Sequence, residues 1–446
     1  MTQGNILHKL MRFAVPMFLT SFFQQLYSTV DALIVGRLVG AHGLAAIGAT
    51  AQVILFTVSL GLGFMMGIGV VIGECCGAGD YRKVRSVEVI AYLSVFFIYL
   101  LKVIVAVFFA EDILTFMNAP EEVMGEALVY LRIVFVGGLS TYGYSMVLYI
   151  LRSCGESVRP LLFIILSSVA NIVLDLLFVG RLGWGVAGAA VATVLAETLA
   201  MICCFVYIRR TVPELWITRE DLKGVTRQLT GYAMKLSVPA SIQISLVTFC
   251  NIFVQAVINR YGVEAVAGYT AAQKIEQFLM MLLNALAAAL NVFVAQNRGA
   301  GRYDRIRQGV LRSLMIGVLL MFAGIGMMSA GGRLLLSYFV DPESAATVTE
   351  QGWIYVRTTM WFYPLLGLWQ ILAAYLRGMA DAIFPLIIGA VQIAANLGGI
   401  FLLESAYGIR GIWYSVAISW LCCAAIVLAR TVRRIGISSC NTSDSR

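Results

Sequence analysis

Charge is scarce in this chain. Asp, Glu, Lys and Arg make up 13% of its 446 residues, where a soluble domain carries about 25%. Hydrophobic residues make up 60%, and the mean hydropathy is +0.87. So much apolar surface cannot be hidden inside a water-soluble globule, which leaves lipid as the solvent. Histidine is rarer still: His8 and His42 are too few and too far apart to build a metal site. The nine cysteines include three adjacent pairs but no CxxC spacing, and none sits in a long outer loop. They read as small apolar helix residues or cytoplasmic thiols. The period-2 alternation of a barrel strand is missing. No glycine-rich loop follows a strand or precedes a Lys-Ser/Thr pair, and no nucleophile–base pairing appears. An enzyme is therefore the least expected reading, no cofactor is expected, and any work must be driven by a gradient. The net charge of +8 is spread over many short loops and makes no nucleic-acid patch.

What is abundant is long apolar runs. A spanning helix needs roughly 20 such residues. About twelve runs qualify, near 10–36, 44–72, 88–110, 127–151, 160–181, 186–208, 233–259, 266–296, 310–331, 352–376, 384–405 and 410–430. The first is too long for a cleavable signal and is expected to remain as helix one. With the N-terminus inside, 23 of the 32 Lys and Arg fall in cytoplasmic segments and five (Arg37, Arg181, Arg260, Arg333, Arg410) in outer ones. The bias predicts a multi-pass protein of the cell membrane with both termini cytoplasmic.

The chain repeats itself. GAGDYRKVR at 77–85 returns as GAGRYDRIR at 299–307, an offset of 222 that also carries Gly40 to Gly262 and Pro120 to Pro342. Further on, an offset of 225 carries Tyr130 to Tyr355, Pro160 to Pro385 and Asn171 to Asn396. The expected fold is all-α: twelve transmembrane helices in two pseudo-symmetric six-helix lobes forming a parallel repeat. The lobes are placed at 1–208 and 233–430, with a cytoplasmic linker at 209–232 and a cytoplasmic tail at 431–446. The glycines of GAG-x-Y and of GLGFMMGIG at 61–69 are expected to let helices pack closely.

The acids do not repeat. Asp31 maps near Phe253, Asp175 to Ile400 and Glu197 near Trp420. Each carboxylate costs about 2.5–3.5 kcal/mol at the bilayer centre, so such residues generally mark ion or substrate pathways. Asn171 and Asp175 share a helix face, as do Thr193 and Glu197, and Tyr130 opens helix four. If these faces turn toward helix one they surround Asp31. The pocket would then carry a proton inward, or bind Na⁺ through oxygens of Asp31, Asn171, Asp175 and Thr193. Lys102 is expected to snorkel outward. Gln243, Lys274 and Glu276 either line a cavity of the second half or satisfy local partners. Pro16 removes a backbone hydrogen bond inside helix one.

Pro16, Gln25-Leu26-Tyr27, Asp31, Val35-Gly36-Arg37, Gly40 and Leu44-Ala45-Ala46-x-Gly48 together resemble the first-helix signature of multidrug and toxic compound extrusion (MATE) transporters. The similarity continues through GAGDYRKVR, Leu151-Arg152-x-x-Gly155-Glu156-x-x-x-Pro160, Gly185-Val186-x-Gly188-Ala189-Ala190 and Val294-Ala295-Gln296-Asn297-x-Gly299-Ala300. It implies two six-helix lobes of the MOP/MATE type, a central cavity, and drug efflux driven by H⁺ or Na⁺. The DinF-like branch is the nearest, with its key acid on helix one; its polar cluster falls here on Tyr130, Asn171, Asp175 and Thr193. Leu148 stands where that branch commonly has Asn, and 233–259 holds Gln243, Asn251 and Gln255 but lacks the helix-seven acid of the NorM-like branch. The resemblance also implies that helix one bends at Pro16 as Asp31 changes protonation. The expected function is a monomeric antiporter exporting amphipathic, cationic, drug-like compounds. The alternatives are a flippase of related fold for lipid-linked precursors and, from another class, a channel or receptor.

Overall fold

A computed structural model of the chain describes residues 1–116, 120–338 and 345–443; Pro342 and Arg446 lie outside the described residues. The apolar runs form helices, because lipid leaves a backbone no other way to satisfy its polar groups. In order these are α1 (Ile6–Leu38), α2 (Ala41–Ala78), α3 (Tyr81–Phe108), the short α4 (Ala110–Phe116), α5 (Glu121–Val136), α6 (Gly138–Ser153), α7 (Val158–Asp175) and α8 (Gly185–Thr211). The second half follows with α9 (Arg227–Ile258), α10 (Val263–Gly299), α11 (Tyr303–Ser337), α12 (Ala345–Thr359), α13 (Tyr363–Gly378), α14 (Phe384–Tyr407) and α15 (Ile409–Ser443). Among the described residues ten single helices are long and apolar enough to cross a bilayer. The run expected at 127–151 is instead two helices, α5 and α6, bent by 47° about Gly137. A β-carbon at Gly137 would stand 2.2 Å from Val194 Cγ2 of α8, so the bend is made where only glycine fits. Helices α12 and α13 repeat the broken span, with the break at Met360–Phe362. Counting each broken pair as one span gives twelve spans among the described residues, six in each half.

Two compact units emerge from the packing, Val15–Ser241 and Met1–Ala14 with Ile242–Arg446. In the first, α2 packs against α3, α5 and α6, and α8 against α5, α6 and α7. In the second, α10 packs against α11, α12 and α13, and α15 against α12, α13 and α14. The pairings follow the sequence repeat. The first unit's core joins Ala46 and Val53 of α2 to Leu131 and Phe135 of α5 and Val186 and Ala190 of α8. Large apolar residues remain exposed at helical spacing, as at Leu311, Met315, Leu319 and Phe322 of α11, which is the face expected to meet acyl chains.

The two glycine-rich stretches behave differently. In GLGFMMGIG, a β-carbon at Gly63 or Gly67 would come within 2.4 Å of the backbone of Ser241 or Ser237, so these glycines set the α2–α9 approach. The last glycine of each GAG does not act by packing, contrary to expectation: it builds a turn. Gly79 (φ 76°) caps α2 in the left-handed region with open space around it, and Asp80 then caps α3 by accepting from the Lys83 N–H at 3.0 Å. Gly301 (φ 69°) occupies the same position in the second unit.

Residues between α8 and α9 are tied down. Arg85 Nε donates to Asp221 Oδ1 at 2.9 Å and its Nη1 to the Glu214 carbonyl at 2.9 Å. The Thr218 N–H and hydroxyl donate to Asp221 Oδ2 at 2.8 and 2.7 Å. Burial alone would raise the Asp221 carboxyl, but the Thr218 and Arg85 bonds outweigh it and hold it below the ordinary carboxylate range.

Two outcomes are expected. Gly67→Ala should cost about 1–3 kcal/mol through overpacking, read as a lower melting temperature in detergent, while Gly48→Ala, with nothing within 4 Å, should be neutral. Because the Asp221 carboxyl is depressed in the folded state, its stabilising effect is complete above about pH 4, the unfolded value, and is lost as pH falls through the folded one. Limited proteolysis between Val212 and Thr226 should therefore accelerate only below about pH 4, and should already be fast at pH 7 in Asp221→Asn.

Candidate functional site

Val35 of α1 packs on Val179 and Ala189, which draws the end of α1 against α8 and the residues after α7. One turn earlier on α1 is Asp31. Across from it is Asp175, the last residue of α7, where the helix widens into a single π-wound stretch, Leu176–Arg181. Such insertions in α-helices are frequent at functional sites. Asp175 is fully buried rather than solvated at a rim. The Asp31 and Asp175 carboxyls stand close enough to interact directly with each other. Asn171, one turn back on α7 and 1% exposed, completes the link. In the amide orientation that satisfies its neighbours, its nitrogen donates to Asp175 Oδ2 at 2.6 Å and its oxygen accepts from Thr193 Oγ1 at 3.2 Å. Tyr27 Oη of α1 lies 3.4 Å from the same Thr193 oxygen. The buried Tyr130 of α5 interacts electrostatically with Asp31, Asp175 and Glu197.

Asp31 Oδ1 and Asp175 Oδ1 are both buried without a hydrogen-bond partner among the described residues. Buried polar atoms are normally satisfied, so these two oxygens are exceptions to the rule. The expected set Asp31, Tyr130, Asn171, Asp175 and Thr193 is thus brought together.

Glu197 stands beside this cluster with partners of its own. Thr141 Oγ1 of α6 donates to Glu197 Oε2 at 2.5 Å. The nearest cation is Lys102, which does not snorkel outward as expected: it is 5% exposed, with Nζ 4.4 Å from the Phe135 ring centroid. Opposite charge on Glu197 and the ring face hold it inside, and Gly138 leaves room, since a β-carbon there would sit 3.4 Å from Nζ. Sequence reasoning passed over Tyr27 and Thr141 as site residues. Tyr27 carried a signal, being one helical turn before Asp31.

The second unit's residues are arranged otherwise. Glu276 accepts from Tyr355 Oη at 2.5 Å, and Tyr355 is the repeat counterpart of Tyr130. Tyr269, Tyr355 and Trp413 form an aromatic cluster with centroids 4.9–5.2 Å apart. Lys274 is on the exposed side of α10, and the buried Gln243 packs against Gly389 of α14.

The family model described as MatE matches residues 16–177 and again 239–402, once on each half. The chain belongs to the multidrug and toxic compound extrusion family. It is a multi-pass membrane transporter, not an enzyme. A Bacillus subtilis (strain 168) protein described as "Probable multidrug resistance protein YpnP" is 27% identical over 443 residues, 96% of each chain. A second from the same strain, "Probable multidrug resistance protein YoeA", is 29% identical over 85% of this chain and 83% of its own. Among solved structures, "Crystal structure of MATE in the bent conformation" superposes with a TM-score of 0.90 at 22% identity, covering 99% of this chain and 98% of that one.

Removing the Thr141 hydroxyl would strand a carboxylate within the first lobe. Thr141→Val should lower stability by about 1.5–3 kcal/mol, the range for a hydrogen bond to a charged group, measured by thermal melting in detergent, whereas Thr141→Ser should retain most of it.

Proposed function

We propose that this MATE transporter is a secondary multidrug efflux antiporter that exports amphipathic, cationic compounds in exchange for an inward-moving cation. The observation that carries the reading is the juxtaposition of the Asp31 and Asp175 carboxyls, each with a buried oxygen that lacks a hydrogen-bond partner among the described residues. A proton shared between two acids in a lipid-solvated lobe can be given up only when something replaces it or water reaches it. Departure of that proton leaves two like charges side by side, which must be neutralised or separated. Asn171, Thr193, Tyr27 and Tyr130 orient the pair, and Pro16 of α1 supplies a point where Asp31's helix can bend as the charge changes. H⁺ is the coupling ion this arrangement favours; Na⁺ held by oxygens of Asp31, Asn171, Asp175 and Thr193 is the second reading, supported by the two orphan oxygens. Each charge crossing 100 mV releases about 2.3 kcal/mol. The relatives named as multidrug resistance proteins support drug-like substrates, and the basic loops support a cell-membrane topology with both termini cytoplasmic. A flippase for lipid-linked precursors would need free basic groups for pyrophosphate, and Lys102 faces Glu197 instead.

The test is dye efflux from proteoliposomes with H⁺ and Na⁺ gradients imposed separately. Wild type should respond to the H⁺ gradient. Asp31→Asn should reduce gradient-driven efflux at least tenfold without loss of folded protein, and Asp175→Asn should shift its pH profile. Efflux at the parental rate by Asp31→Asn would sink the coupling role.

A further inference from the structure

Cysteine spacing suggests no pairing, and the neighbours Cys75 and Cys76 are on consecutive residues of one helix. The fold pairs Cys76 with a distant partner. Cys76, two residues before the end of α2, has its Sγ 2.7 Å from Sγ of Cys154, which caps α6. That separation is about 0.7 Å longer than an S–S bond and well inside ordinary sulfur–sulfur contact. Both thiols are half-buried, within reach of a small oxidant, whereas Cys75 is buried. A second group converges on the pair. Glu88 of α3 is 2% exposed, its Oε1 has no hydrogen-bond partner among the described residues, and it interacts electrostatically with Cys76 and Cys154. The transport mechanism uses none of these three residues.

We propose that Cys76 and Cys154 are a reversible dithiol–disulfide modification site whose oxidant is of the hydroperoxide class. In the first step the Cys76 thiol gives its proton to water, and the thiolate attacks one peroxide oxygen. The O–O bond breaks, a sulfenic acid forms on Cys76, and the leaving hydroxide takes a proton to become water. In the second step the Cys154 thiol gives its proton to the departing hydroxide as its sulfur attacks the Cys76 sulfur. An S–S bond forms, the S–O bond breaks, and a second water leaves. Two thiols have then lost two protons and two electrons to the peroxide, and a reducing dithiol reverses the change. The bond would fasten the end of α2 to the α6–α7 turn, beside the helices that carry Thr141, Asn171 and Asp175. On the topology proposed above this end faces the reducing cytoplasm, where disulfides are transient and redox-sensing rather than permanent. The chemistry itself does not depend on the transport reading.

The experiment exposes the full-length protein in proteoliposomes to hydrogen peroxide, then to a maleimide, followed by peptide mass spectrometry. The expected result is a Cys76–Cys154 linked peptide two hydrogens lighter than its parts, at least a tenfold fall in maleimide labelling of both residues, and recovery with dithiothreitol. Cys75→Ser should keep the link, and Cys76→Ser should abolish it. The proposal is overturned if peroxide leaves both thiols labelled as before, converts them to sulfinic acids without a link, or joins Cys154 to Cys75 as readily as to Cys76. Because the wild-type chain gives the direct readout, the outcome does not hinge on the folding of a variant, and no efflux assay enters it.

Discussion

The close approach of two acids, Asp31 and Asp175, in a lipid-solvated bundle is the constraint on which the first lobe is built. Each carboxylate carries an insertion cost of about 2.5–3.5 kcal/mol at mid-bilayer, and Asp31 and Asp175 meet that cost together. The surrounding polar groups all bear on this pair. Asn171 links Asp175 to Thr193, Thr193 meets Tyr27, and Tyr130 lies in the field of both acids. The π-wound residues after Asp175 and the packing of Val35 on Val179 and Ala189 position the helices that bring the pair together.

The second lobe shows what the same scaffold does without that pair. Helix pairings repeat from one lobe to the other, and so does the broken fourth span. At the places where the first lobe has Asp31 and Asp175, the second has Phe253 and Ile400. Tyr355, the counterpart of Tyr130, instead donates to the single acid Glu276 and packs in an aromatic cluster with Tyr269 and Trp413. A hydroxyl-bonded acid surrounded by rings has one strong partner already, which distinguishes it from a carboxyl pair with two orphan oxygens. Duplication thus supplies a common frame, and divergence of a few buried side chains gives each half its own acids with their own partners.

Much of this was legible beforehand. Hydropathy requires helices, because a backbone in lipid must satisfy its own hydrogen bonds. The repeat of GAGDYRKVR requires two lobes, and the non-repeating acids single out the first. The spacing of Asn171 and Asp175 by one turn already put them on one face. Other features were misread or missed for a shared reason, that they depend on what lies across a helix–helix contact. Lys102 looked like a snorkelling residue near the end of a run, yet Phe135 and Glu197 keep it inside. Gly79 and Gly301 looked like packing positions and proved to be turn residues with positive φ. Thr141 gave no signal at all, since only the α6–α8 contact brings it to Glu197.

By itself the sequence determined the solvent, the number of spans, the duplication and the lobe that holds the acids, because each follows from composition and periodicity along one chain. Tertiary structure alone decided that Asp31 meets Asp175, that Cys76 meets Cys154 rather than Cys75, and that Gly67 rather than Gly79 is a packing contact. Those outcomes turn on distances of a few ångströms between residues far apart in sequence, and helical periodicity states which face a side chain is on without stating what stands opposite.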